Sequence, residues 1–221
     1  MNAATLDLFS EPTTTSELVE NAFAQDDSAL NQEALLKVLG LEYIPNFVTP
    51  DVEQKIMEAL NKEPWIGDLE RRVQHYGYRY NYKSRRIDET MRVGPLPSWI
   101  TNLGNKMVKW SIFEMTPDQA IVNEYDPGQG ITSHVDCEPC FGDTVASLSL
   151  GSGCYMDFTN LMTSEKVPVW LERRSLVVLK GDSRYQWQHG IAKRKSDKVN
   201  GEIVPRKKRV SLTFRKVIKA Y

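Results

Sequence analysis

Within Asn123–Asp136 (NEYDPGQGITSHVD), His134 and Asp136 stand two residues apart. Strand side chains alternate between faces, so an extended segment would turn this imidazole and this carboxylate toward one point. The run Asp126-Pro127-Gly128-Gln129-Gly130 supplies a turn between two short strands. A second histidine beside such a pair would complete the two-histidine, one-carboxylate set that holds ferrous iron by one face and leaves room for a chelating cosubstrate and O2. The chain has three histidines, His75, His134 and His189. His189, in Trp187-Gln188-His189-Gly190-Ile191, is the better candidate, because it follows the strand-like run Ser175–Leu179 and the turn Gly181-Asp182-Ser183.

A second feature gives this pattern weight. Read as a strand, Arg209–Arg215 (RVSLTFR) places Arg209, Ser211, Thr213 and Arg215 on one face and Val210, Leu212 and Phe214 on the other. A cationic, hydroxyl-lined face with an apolar back suits a small dicarboxylate, which guanidinium forks bind bidentately. Zinc or a metal-storage role would use the same histidine and aspartate donors, but neither needs two arginines.

Asn123-x-Tyr125, Pro127-Gly128, His134-x-Asp136, Ser147-Leu148-Ser149-Leu150-Gly151, His189-Gly190-Ile191 and Arg209-x5-Arg215 resemble, in order and spacing, the motifs of the AlkB family of iron- and 2-oxoglutarate-dependent dioxygenases. The resemblance runs from about Leu69 to Val217. Segments such as HYGYRYNY, YDPGQGI and SLTFRKV are similar to the AlkB-like domain of enzymes that modify wobble uridines in tRNA, and bacterial AlkB-type repair proteins share the frame. The resemblance implies that His134, Asp136 and His189 are the catalytic iron ligands, with Fe(II), 2-oxoglutarate and O2 as cofactor and cosubstrates. It also implies that Arg209 and Tyr125 grip the distal carboxylate of 2-oxoglutarate, that Arg215 sits beside Asp136, and that Asn123 and Ser211 add hydrogen bonds. Ser211 stands where many relatives carry asparagine. The implied fold is mainly β, a double-stranded β-helix of the jelly-roll type with N-terminal helices buttressing one sheet. The implied activity is oxidative dealkylation of bases in nucleic acid, with hydroxylation of a modified wobble uridine in tRNA as the alternative. A non-catalytic nucleic-acid-binding module is the alternative from another class.

The elements that must position these groups follow from local patterning. Residues 1–31 are rich in Thr, Ser, Asp and Glu and read as a flexible arm. Within it, Leu6–Phe9 is similar to the peptide by which bacterial repair proteins dock on a sliding clamp. The resemblance implies that residues 32–221 form the dioxygenase domain, with a nucleotide-handling flap at about 71–95 and the catalytic β core at about 120–217. Leu35, Leu36 and Leu39 mark one expected helix over Glu33–Glu42. Thr49-Pro50-Asp51 opens a second, with Val52, Ile56 and Leu60 as its buried stripe, and a third spans about Ser98 to Trp110. In the flap, Tyr76, Tyr78, Tyr80 and Tyr82 alternate with His75, Arg79 and Lys83, a ladder of rings and cations of the kind that binds bases and phosphates. Tyr76, Tyr78, Tyr80 and Arg79 are therefore candidate substrate contacts, as is Trp187, which would stack on a flipped-out base.

Composition fits a soluble globular domain, 41% hydrophobic and 26% charged. No apolar run is long enough for a membrane span and no signal peptide opens the chain, so the cytoplasm, or the nucleus in a eukaryote, is the expected compartment. Three cysteines, an odd number, argue against a disulfide framework, and Cys137-x-x-Cys140 lacks the partners of a zinc site. Charge is uneven: 12 acidic and 3 basic residues precede Pro64, whereas 2 acidic and 12 basic residues lie from Arg184 onward. A polyanion would meet the second half first.

Overall fold

The computed structural model describes residues 29–67, 70–81 and 84–218. The clamp-like Leu6–Phe9, and Tyr82 and Lys83 of the flap, lie outside the described residues. Two antiparallel sheets face each other. The larger runs in the order β1 (Leu41–Ile44), β8 (Leu176–Leu179), β5 (Phe141–Leu150), β12 (Arg209–Val217), β3 (Gln119–Tyr125), β2 (Arg72–Tyr76). The smaller runs β4 (Ile131–His134), β9 (Trp187–Ile191), β6 (Cys154–Asn160), β7 (Lys166–Leu171). A separate hairpin pairs β10 (Ser196–Val199) with β11 (Glu202–Pro205). This is the expected jelly roll: the chain crosses between sheets rather than returning beside itself, so β3 and β4, though joined by the Asp126–Gly130 turn, belong to opposite sheets.

The strand β12 carries the logic of the fold. It lies between β3 and β5 and is buried on both faces. Val210, Leu212 and Phe214 pack outward, with Leu148, Leu150 and Val178, against the helices α2 (Pro50–Asn61) and α3 (Ser98–Lys109), whose Ile56, Leu60, Ile100, Leu103 and Met107 are fully enclosed. The alternate residues face the space between the sheets, where Val145, Met156, Phe158, Val177, Leu179 and Trp187 fill part of a second core. Burying each large aliphatic side chain contributes on the order of 2 kcal/mol, so the helices do hold the back of the larger sheet. Thr49 caps α2 as expected, its Oγ1 accepting from the Val52 N–H at 3.3 Å.

Three expectations need correcting. The first helix, α1 (Ala29–Lys37), starts earlier and ends sooner than the leucine spacing suggested. Ala34 and Val38 point inward while Leu36 and Leu39 are exposed, and Asn31 is buried, exchanging two 2.9 Å hydrogen bonds with the Trp170 backbone. The end of the supposed arm is thus docked on β7. The tyrosine ladder is broken as well. Gly77 adopts φ +76° and sits so close to the Asp118 carbonyl that a Cβ there would lie 1.9 Å from the oxygen. β2 therefore stops at Tyr76, and the flap tyrosines leave a common face. Finally, Cys137 and Cys140 form a disulfide, despite the odd cysteine count, leaving Cys154 as the buried free thiol. Among the described residues no helix is long and apolar enough to cross a membrane.

Candidate iron and cosubstrate site

His134 ends β4 and pairs directly across from His189 on β9. Asp136 lies just beyond the strand, so the His-x-Asp pair meets at the strand end rather than along one pleated face. Ligand atoms of His134, Asp136 and His189 all fall within 4.8 Å of one another. The His134 and His189 rings are 4.6 Å apart, and His189 Nε2 lies 3.6 Å from Asp136 Oδ2. His134 Nδ1 sits 2.9 Å from the Thr132 carbonyl oxygen; in the tautomer that donates this bond, Nε2 is left to coordinate.

The approach of β4 to β9 depends on Gly190. A Cβ there would lie 2.7 to 2.9 Å from Ser133 Oγ, N and Cα, mostly unyielding backbone. Gly190→Ala is expected to push the strands apart, costing about 1–3 kcal/mol and separating the two imidazoles. Calorimetric melting and Mn(II) titration check it: a wild-type melting temperature with unchanged metal affinity contradicts the close-approach argument.

Behind the triad, the inner faces of β12, β3 and β5 line a narrow cavity with Asn123, Tyr125, Ser147, Arg209, Ser211, Thr213 and Arg215. Arg215 pairs with Asp136 Oδ1 at 2.6 Å and lies over the Phe141 ring. Arg209 is buried, donates from Nη2 to Ser149 Oγ at 2.8 Å and lies 5.6 Å from the Tyr125 ring centroid. Among the described residues no carboxylate pairs with Arg209. A buried guanidinium with no counter-ion is costly unless an anion arrives. Nε of Arg209, Nε of Arg215, Oδ2 of Asp136 and Nδ1 of His189 are all buried without a hydrogen-bond partner. That concentration of unsatisfied groups fits a cation held at the triad and a dicarboxylate lying toward Arg209.

Electrostatics agree with this division. Burial raises the Asp136 pKa, but Arg215, with His189, His134 and Arg184, outweighs it and holds the carboxyl well below the usual range, so it is ionised. Burial, with help from His134, lowers the His189 imidazole to about 3, leaving its nitrogens neutral for a metal. Burial raises the Tyr125 phenol against the opposing pull of Arg71 and Arg209, so its O–H stays available to donate to a carboxylate.

The 2-oxoglutarate-Fe(II) oxygenase superfamily model matches residues 40–215. The chain belongs to that superfamily. Fe(II) is accordingly its metal, with 2-oxoglutarate and O2 as cosubstrates. Its relatives are AlkB homologues. It is 36% identical to the alkylated DNA repair protein ALKBH8 homolog of Arabidopsis thaliana, over 82% of this chain and 59% of that one. It is 36% identical to the tRNA (carboxymethyluridine(34)-5-O)-methyltransferase alkbh8 of Xenopus tropicalis, over 80% of this chain and 32% of that one. The uncharacterized protein L905 of Acanthamoeba polyphaga mimivirus is 41% identical, over 81% of this chain and 86% of that one. The structure of OsALKBH1 shares the fold, with a TM-score of 0.62 at 18% identity, over 80% of this chain and 96% of that one. The chain thus spans 59% and 32% of the two ALKBH8-type relatives.

In this oxygenase the sequence-derived residues separate into two groups. His134, Asp136, His189, Asn123, Tyr125, Arg209, Ser211 and Arg215 meet around one space between the sheets. The substrate contacts do not stay together. Tyr76 packs edge-on against Trp99 and donates to Gln74, on the helix side of the sheet. Tyr78 is buried with its hydroxyl on Glu89. Trp187 is buried in the second core and does not line the outer cavity, because the strand face it shares with His189 continues into that core. Arg79 is exposed, and Tyr80 alone of the five lines the outer cavity. Conversely, Arg71, which donates from Nε to Asn123 Oδ1 at 2.8 Å, and Arg85 border that cavity. Both stood in the cationic run of the flap, with no periodic signal to single them out. Ser147 and Ser149 were legible in principle, since Ser147-Leu148-Ser149-Leu150 alternates and pairs with β12 at Thr213 and Ser211.

Two imidazoles, the buried His189 and the half-buried His75, give the metal-free protein an acid limit. His189 titrates at about 3, and His75, mainly through burial and then through Arg79 and Arg215, at about 4. The unfolded chain binds protons on both below about pH 6.5, whereas the folded state does not, so stability falls as pH drops from about 6.5 toward 4. Urea unfolding of metal-free protein at pH 7.5, 5.5 and 4.5 should show this loss, and His75→Gln should lessen it; equal midpoints at all three pH values contradict it.

Proposed function

We propose that this oxygenase oxidatively dealkylates bases in nucleic acid, as in the reversal of DNA or RNA alkylation damage. The observation that carries the reading is the outer cavity, about 520 Å³, which opens onto His134 and Asp136 and is bordered by Arg71, Arg85, Tyr80 and Phe141. Cations at a rim suit phosphates, and rings suit a base. A base inside a duplex cannot reach a recessed metal, so the substrate is single-stranded or flipped out. The triad would hold iron; with 2-oxoglutarate and O2 bound, the metal centre supplies hydroxylation of a C–H bond, and a carbon on a ring nitrogen then leaves as an aldehyde with no protein base required. The protein's own residues bind and orient. Arg209, braced by Ser149, and Tyr125 would hold the distal carboxylate, while Arg215 keeps Asp136 ionised and fixed.

Hydroxylation of a modified wobble uridine in tRNA is the second reading, favoured by the ALKBH8-type relatives. Incubation with Fe(II), 2-oxoglutarate and three substrates separates the two: methylated single-stranded DNA, methylated RNA, and tRNA bearing carboxymethyluridine. Nucleoside mass spectrometry should show loss of the methyl base. Change confined to the tRNA nucleoside supports the second reading, and succinate with no base altered in any of them contradicts both. The clamp-binding role of Leu6–Phe9 is a separate proposal, tested by whether Leu8→Ala with Phe9→Ala releases the chain from a sliding clamp in a pull-down.

A further inference from the structure

The turn that leads from Asp136 into β5 is held from two sides. On one side Arg184, among the most deeply buried side chains, donates to the carbonyls of Asp136 at 3.0 Å, Cys137 at 3.4 Å and Phe141 at 3.5 Å. On the other side lies the flap. Arg85 donates from Nη2 to the Val135 carbonyl at 3.3 Å, and its own carbonyl oxygen faces the sulfurs of Cys137 and Cys140 at 3.2 and 3.4 Å. Those sulfurs are bonded to each other, and the pair packs with Tyr78, Phe141 and Val217. Cys137 also lines the outer cavity, which gives it a route to small reagents in solution.

A disulfide sulfur carries no hydrogen, so in the oxidised form the Arg85 carbonyl receives nothing from either sulfur. Thiols at the same two positions each carry a donor, weak but within reach. We propose that Cys137 and Cys140 form a reversible thiol–disulfide site that sets how firmly the flap is held: tied to the turn at Arg85 when reduced, loosened when oxidised. The oxidant is a low-molecular-weight disulfide of the glutathione class. The thiolate of one cysteine attacks it, forming a mixed disulfide and expelling one small thiol. The second cysteine then attacks the protein sulfur of that mixed disulfide, forming the Cys137–Cys140 bond and releasing the second small thiol. The pair loses two electrons and two protons, and the external disulfide gains them; a reducing dithiol reverses the sequence. Because Arg184 grips backbone carbonyls on the far side of the turn, Asp136 keeps its place in both states and the flap takes up the change. This goes beyond the proposed substrate, since the hold on residues 84–88 is read without any.

The test equilibrates the full chain in glutathione mixtures, traps thiols by alkylation for peptide mass spectrometry, and measures amide hydrogen exchange over residues 84–88. Two alkylations at Cys137 and Cys140 should appear together as the mixture becomes reducing, while Cys154, which is as buried but has no cysteine to pair with, gives the same signal at every ratio. Exchange over 84–88 should slow about three- to tenfold on reduction, the scale of one hydrogen bond. The double variant Cys137→Ser/Cys140→Ser, which keeps donors, should show the slow rate at every glutathione ratio, and Cys137→Ala/Cys140→Ala the fast one. A pair that ignores the glutathione ratio, or flap exchange identical in both states and both variants, overturns the proposal.

Discussion

Alanine at His134 or His189 is expected to remove 2-oxoglutarate turnover almost completely, lowering succinate formation on the order of 10³-fold or more. A bound metal is worth several kcal/mol of charge stabilisation, and each ~1.4 kcal/mol is tenfold in rate. The two imidazoles face each other across one pair of strands, so loss of either leaves two donors and an incomplete face. Asp136 needs a gentler change. Its carboxylate is 2.6 Å from Arg215, and alanine would strand a buried guanidinium, a change that costs about 3–5 kcal/mol and confuses folding with function. Asp136→Asn keeps the shape. Anaerobic metal titration beside the turnover assay distinguishes lost binding from lost folding: weak Fe(II) binding with a native melting profile is the expected pattern. Wild-type succinate formation in either histidine variant contradicts the ligand assignment.

The second large effect is at Arg209. Its guanidinium is buried, touches Ser149 and Tyr125, and has no carboxylate partner among the described residues. Removing one partner of a desolvated charge pair costs about 2–5 kcal/mol, so Arg209→Ala should raise the KM for 2-oxoglutarate roughly 10²- to 10³-fold. Fe(II) affinity should stay near wild type, because Arg209 is not a ligand. Lysine supplies the charge without the planar fork and should recover only part of the loss. The split between a raised cosubstrate KM and unchanged metal binding is the signature; loss of both together points to collapse of the barrel interior instead.

The inner shell of the site was legible because it follows the simplest periodicity in proteins. Arg209, Ser211, Thr213 and Arg215 share a face by alternation alone, and their apolar neighbours needed only a layer of helices behind them. The outer shell followed no such rule. Tyr76, Tyr78 and Tyr80 alternate in sequence, yet the backbone at Gly77 turns where only glycine fits, and each ring then goes to different surroundings. Trp187 was on the right face of its strand but too far along it, where that face meets the second core rather than the cavity. Leu35, Leu36 and Leu39 marked a helix over Glu33–Glu42, yet the helix ends at Lys37, Leu36 and Leu39 are exposed, and Ala34 and Val38 are the residues packed inward. Arg184 gave no signal in sequence, because its role is to satisfy carbonyls of a turn whose shape becomes apparent only in three dimensions. Likewise the Arg206 guanidinium and the Asp197 carboxylate, joined at 2.6 and 2.9 Å, anchor the base of the β10–β11 hairpin as a buried pair that residue counting treats as surface charge.

The claim on which the rest depends is that the three donors and Arg209, which has no carboxylate partner among the described residues, form a single composite site. Anaerobic calorimetry tests it most directly: Fe(II) is titrated into the protein, then 2-oxoglutarate into the loaded complex, for wild type, His189→Ala and Arg209→Ala. The expected result is one Fe(II) per wild-type chain, with 2-oxoglutarate binding lost in His189→Ala for want of metal and in Arg209→Ala despite it. Undiminished 2-oxoglutarate binding in both variants would contradict the account.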